Sequence, residues 1–166
     1  MGRGGDLRIR LLGGFSVTVG KRAVDPGTWT RKHPRALVSL LALTPGHRLH
    51  REQIIDALWP DLDPTAAGNN LRKALHLARR ALGDGSGEAA TLIVGRGEAL
   101  ALAPDAWVDV EVFEAGAASA RRSGDPAAYE EALAAYGGDL LPEDRYEHWV
   151  MTRADELKRE MVASLV

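Results

Sequence analysis

Six residues in one stretch, Asn69, Arg72, Lys73, His76, Arg79 and Arg80, have the chemistry to grip a polyanion. They lie in PTAAGNNLRKALHLARRAL, residues 64–82, where Leu71, Leu75, Ala78 and Leu82 recur at helical spacing. At about 100° per residue, the six gather on the side opposite that apolar stripe. This face holds four permanent cations and no carboxylate. A solvated helix face usually mixes signs and gains i,i+4 pairs. Here like charges repel unless a polyanion meets them. An α-helix fits the major groove of B-DNA, and arginine pairs bidentately with guanine. Residues near the start of such a helix usually reach bases, which favours Asn69, Arg72, Lys73 and His76. The bland alternatives are a solvated basic face or, for Arg79 and Arg80, pairing with acidic residues elsewhere in the chain.

Further cations flank this stretch. Arg31, Lys32 and Arg35 open an earlier helix and are candidates for phosphate contact; Arg96 lies between Gly95 and Gly97. Other chemistry finds little support. His47, His50 and Glu52 are close together but lack a metal-binding helical spacing. There is no phosphate loop, no dinucleotide fingerprint and no nucleophile elbow. No cofactor, no metal and no enzymatic activity are expected. The chain has no cysteine, which excludes thiolate sites and suits a reducing, cytoplasmic setting. No run of 18 apolar residues occurs, so no membrane span is expected.

Three helices and two small sheets must position these residues. LRIRLL (7–12) and FSVTV (15–19) alternate as strands, and a short strand at 22–24 follows a turn at Gly20-Lys21. The first helix spans Pro34–Leu43, with Leu37, Leu40 and Leu41 inward. The second opens at His50-Arg51-Glu52 and ends at Pro60. Asp63-Pro64 caps the third, the basic helix 64–82, which Gly83 stops. TLIV, a GRG turn and EALALA form a hairpin over 91–103. The order is that of a helix-turn-helix with a hairpin wing. Trp29, Trp59, Trp107 and Trp149 read as core.

Charge divides the chain. Residues 1–104 hold 15 lysines and arginines against 9 acids, a net of +6; residues 105–166 hold 6 against 14, a net of −8. The second part reads as helices over 108–123, with Val112, Phe113, Ala117 and Ala120 on one side, over 127–136, and from about Tyr146 onward. Helix pairs of this kind stack into TPR-like solenoids. The chain stops inside the apolar run MVASLV, as a fragment of a longer protein would. The face around Leu157, Met161 and Leu165 is expected to pair with a second copy, giving a homodimer.

The motifs LRIRLLGGFSV, RALVSLLAL, REQIIDALWP and NNLRKALHLARRALG resemble the OmpR-type winged-helix domain of SARP-type transcriptional regulators. VDVEVFE and YGGDLLPEDRYEHW resemble the bacterial transcriptional activator domain that follows it in that family. The wing GRGEAL is shorter than in many relatives, and no ATPase or sensor module is present. The resemblance implies an α+β fold with a winged-helix DNA-binding domain at 1–104 and the start of the helical activator domain at 105–166. It implies double-stranded DNA as partner, read at direct repeats near promoters by helix 64–82 with Arg96 at the wing tip, and RNA polymerase as the recruited partner. A protein-interaction scaffold is the alternative; its helix face should show apolar or aromatic residues in place of cations.

Overall fold

The computed structural model describes residues 7–83 and 92–165. The expectations of a disordered segment over 1–6 and a flexible one over 84–90 lie outside the described residues. The architecture is mixed α+β. In β1 (Leu7–Arg10) Leu7 and Ile9 are buried while Arg8 and Arg10 are exposed, as the alternation requires. β2 (Ser16–Val19) and β3 (Arg22–Ala23) follow, and with β7 (Trp107–Val108) they form a sheet of order β3–β2–β1–β7.

The described residues form two compact units. The first holds residues 7–8 and Val17–Trp107. Its helix α1 (Lys32–Leu43) buries Leu37, Leu40 and Leu41. It begins two residues before Pro34, because a proline in the first turn forfeits no helical hydrogen bond. His50 is the cap of α2 (Arg51–Leu58): its Nδ1 accepts from the Glu52 amide, and Gln53 Oε1 accepts from the His50 amide. Asp63 caps α3 (Pro64–Gly83), its Oδ1 accepting from the Ala66 amide at 2.9 Å. α3 runs through Gly83 instead of stopping before it.

The hairpin has more support than the sequence suggests. β5 (Ile93–Arg96) and β6 (Ala99–Leu102) pair with Arg96 opposite Ala99, so the turn is Gly97-Glu98 and not the GRG triplet. Gly97 takes φ 60°, which this tight turn asks of it. A strand that the sequence pattern does not reveal, β4 (Arg48–His50), pairs antiparallel with β6 and gives the order β4–β6–β5. β6 is therefore central, and all four of its residues are buried. α1 packs on α2, α3 and β6.

The second unit holds Ile9–Ser16 and residues 108–165. The N-terminal segment Ile9–Ser16 thus groups with the helices of the second unit. Three polar links do this. The Asp109 carboxylate accepts from the Leu11 amide at 3.0 and 3.1 Å and from the Leu12 amide at 3.0 Å. The Leu141 amide donates to the Leu11 carbonyl, and the Gly13 amide to the Asp139 carbonyl. The backbones come so close that a Cβ on Gly138 would stand 2.9 Å from the Gly13 Cα.

α4 (Asp109–Ser123) and α5 (Pro126–Ala135) pack at a small-residue crossing, where a Cβ on Gly116 would meet the Ala132 Cβ at 3.2 Å. Gly124 ends α4 in the left-handed conformation and Asp125 caps α5. Val110, Phe113, Ala117 and Ala120 form the buried row of α4. Val112, expected among them, is 41% exposed, because it sits about 100° around the helix from Phe113. α6 (His148–Ser164) packs on α4 and α5. Its buried stripe is Val150, Leu157 and Ser164, so Leu157 belongs to the core and not to an exposed pairing face. Trp29 and Trp59 are buried; Trp107 and Trp149 are half-buried.

Candidate nucleic-acid interface

The candidate surface is one side of the first unit, built on α3. Ala67, Leu71, Ala74, Leu75, Ala78 and Leu82 are buried, which fixes the helix's rotation about its axis. That rotation leaves Asn69, Arg72, Lys73, His76 and Arg80 exposed. The Arg72 guanidinium donates to Asn69 Oδ1, which draws the first two of these polar groups together one turn apart. No acidic side chain of α3 shares this face, because α3 contains none.

Arg79 does something else. It is half-buried, and its Nε and Nη2 donate to the Ile93 carbonyl at 3.1 and 2.7 Å. Burial lowers its pKa, and the nearby Arg51 charge lowers it further. Arg79 therefore ties the hairpin to α3. Two donors on one carbonyl are worth ~1.5–3 kcal/mol as a charged hydrogen bond. Arg79→Ala is expected to lower the thermal midpoint and loosen hydrogen-exchange protection in β5. Arg80→Ala is expected to leave both unchanged. Equal effects from the two would refute this division of labour.

Sequence pattern does not mark three further residues near this surface. Arg31 lines a hollow with His33, Trp59, Asn70 and Lys73, and neither His33 nor Asn70 stands out by type or spacing. The His33 ring lies 4.8 Å from that of Trp59, and burial, then the Lys32 charge, lowers its pKa, favouring the neutral ring. Arg31 also borders hollows with Arg72, Lys73 and His76, and with Arg80. The start of α1 is thus joined to the α3 face through Arg31; Lys32, exposed, and Arg35, half-buried, do not line these three hollows. Arg51 is the third: its amide donates to the Glu98 carbonyl and its guanidinium lies against Gly95. No sequence signal marks Arg51, since only the pairing of β4 with β6 carries the start of α2 to the hairpin. Arg96 is exposed at the end of β5 beside the turn. Arg22 donates to the Leu82 carbonyl near the end of α3, a basic group placed on the negative end of the helix.

Among the described residues no group of three histidine or acidic side chains could hold a metal ion, and no helix is long and apolar enough to cross a membrane. What the surface offers is cationic and amide hydrogen-bond donors on a convex helix, a form suited to a groove lined by phosphates.

No family model matches the sequence, and no curated protein matches it. Among solved structures, the chain is similar to EmbR of Mycobacterium tuberculosis, whose structure was solved in complex with a low-affinity phosphopeptide. The match has a TM-score of 0.78 at 21% identity and covers 96% of this chain and 44% of that one. The chain thus spans less than half the length of the EmbR chain. At this identity the likeness is one of fold.

Proposed function

We propose that the protein is a sequence-specific transcriptional regulator that binds double-stranded DNA through a winged helix-turn-helix. α3 enters the major groove, and the β5–β6 turn reaches the adjacent minor groove. The observation that carries this reading is the α3 face, where Asn69, Arg72, Lys73, His76 and Arg80 are all exposed on a helix without a carboxylate. The fold likeness to EmbR and the SARP-type motifs support it. An interaction scaffold would place apolar or aromatic side chains at these positions.

Following that resemblance, the protein acts in the cytoplasm as an activator at direct repeats near promoters, recruiting RNA polymerase and needing neither cofactor nor catalysis. Residues 105–166, with a net charge of −8, are repelled by duplex phosphate and act as the protein-contacting part. Selection of bound sequences from a random duplex library tests the function. Enrichment of a repeated motif is expected; a pool that stays random after several rounds would reject the proposal.

The wing contributes affinity more than specificity. Arg96 is the cation nearest its turn, and one arginine in a narrow minor groove reads shape. Arg96→Ala is expected to lower the slope of log affinity against log salt by about one and to weaken all sequences alike. A repeated selection with this variant should return the same motif. A changed motif would give Arg96 a base-reading role.

A further inference from the structure

We propose that α6 is a homodimer seam, through which two copies of the chain pair antiparallel along the row Met151, Asp155, Lys158, Val162 and Leu165. These positions are spaced four, three, four and three residues apart, the repeat of a two-helix seam. They lie about 120° around α6 from its buried stripe of Val150, Leu157 and Ser164, on the side where Met151, Asp155 and Lys158 border a groove with Leu140, Pro142 and Arg145. On the inner side α6 is further held by Arg153 on Glu114 at 2.6 Å and by Glu160 on Arg121 at 3.1 Å. The outer row is left to solvent: Met151, Val162 and Leu165 are 47%, 50% and 64% exposed, and Asp155 and Lys158 are exposed as well.

Charge selects the occupant and the register. The row is apolar at both ends and carries one acid and one base at its middle. Parallel pairing would set Asp155 on Asp155 and Lys158 on Lys158. An antiparallel pairing centred on either residue would set like on like. A two-fold axis between Glu156 and Leu157 sets Asp155 of each copy on Lys158 of the other, twice. The same axis sets Met151 on the second copy's Val162. It also brings the second copy's Leu165 opposite His148, beside a groove of about 330 Å³ walled by Leu140, Pro142, Tyr146 and Met151. Tyr146, 81% exposed, offers its ring to that leucine. The surface is therefore self-complementary, as a two-fold interface requires. One helix pair buries less than the ~1,200 Å² of a standard interface, so association is weak and concentration-dependent.

Sedimentation of the 166-residue chain without DNA, from roughly 1 µM to several hundred µM, reads this directly. The average mass should climb from 17.9 kDa toward twice that value. Asp155→Lys and Lys158→Asp each place like charges in contact and should each stay monomeric. Mixed together, these two variants restore both ion pairs and should dimerise again, which no folding defect could produce. Both sites are exposed, and circular dichroism checks that each variant stays folded. A wild type that is monomeric throughout, a dimer indifferent to Asp155→Lys, or a mixture that stays monomeric would each overturn the proposal.

Discussion

Replacing Arg72 and Lys73 together with glutamate is expected to weaken binding to the selected duplex by ~100-fold or more, while leaving the thermal midpoint nearly unchanged. Each lost base or phosphate contact costs ~1–3 kcal/mol, and each new carboxylate faces phosphate at short range. Arg72 and Lys73 are exposed, and Arg72 bonds within its own helix, to Asn69, so the fold loses little. Fluorescence anisotropy at fixed salt measures the loss, and the salt slope should fall with it, because fewer counterions are released. Binding that survives the double reversal would show that α3 is not the recognition helix.

Asp109→Ala is expected to destabilise the second unit by ~2–4 kcal/mol, since it strands two buried backbone donors, the Leu11 and Leu12 amides. Asp109→Asn keeps one oxygen acceptor and should cost about half as much. Denaturant unfolding at neutral pH measures both. A loss below ~0.5 kcal/mol for the alanine variant would mean that water replaces the carboxylate without cost. The pH dependence follows from burial. Desolvation raises the Asp109 pKa, against the opposing pull of the Leu11, Leu12 and Val110 amides and of Arg10. The folded chain therefore keeps this proton to higher pH than the unfolded chain does. The group's stabilising share is complete below the ordinary carboxylate range and declines as pH rises toward the raised pKa. Asp109→Asn should flatten that decline.

The candidate surface is legible in the amino-acid order because it rests on one helix. A 3.6-residue period needs no partner to sort Leu71, Leu75 and Leu82 from Arg72, Lys73 and His76, and burial of the first set exposes the second. Arg79 escapes this sorting. By period alone it belongs with the cations, yet its side chain reaches the Ile93 carbonyl, a partner 14 positions away. Helical period says which side of a helix a residue occupies and nothing about what another segment brings there.

Local patterns by themselves determined the alternating strands, the three helices before the hairpin, the cap at Asp63, and the charge contrast between the two parts. These depend on neighbours within about one helical turn or one strand, where a residue's type already carries the physics. Long-range pairing decided the rest. β4 is three residues long and acquires its partners only when β6 lies alongside, some fifty residues later in the chain. The segment 9–16 reads only as strand and turn until the Asp109 carboxylate, 98 positions on, takes the Leu11 amide. Leu157 and Val112 exchange surface for core and core for surface because a helix has several apolar positions, and only the contact with a packed neighbour selects which of them are shielded from water.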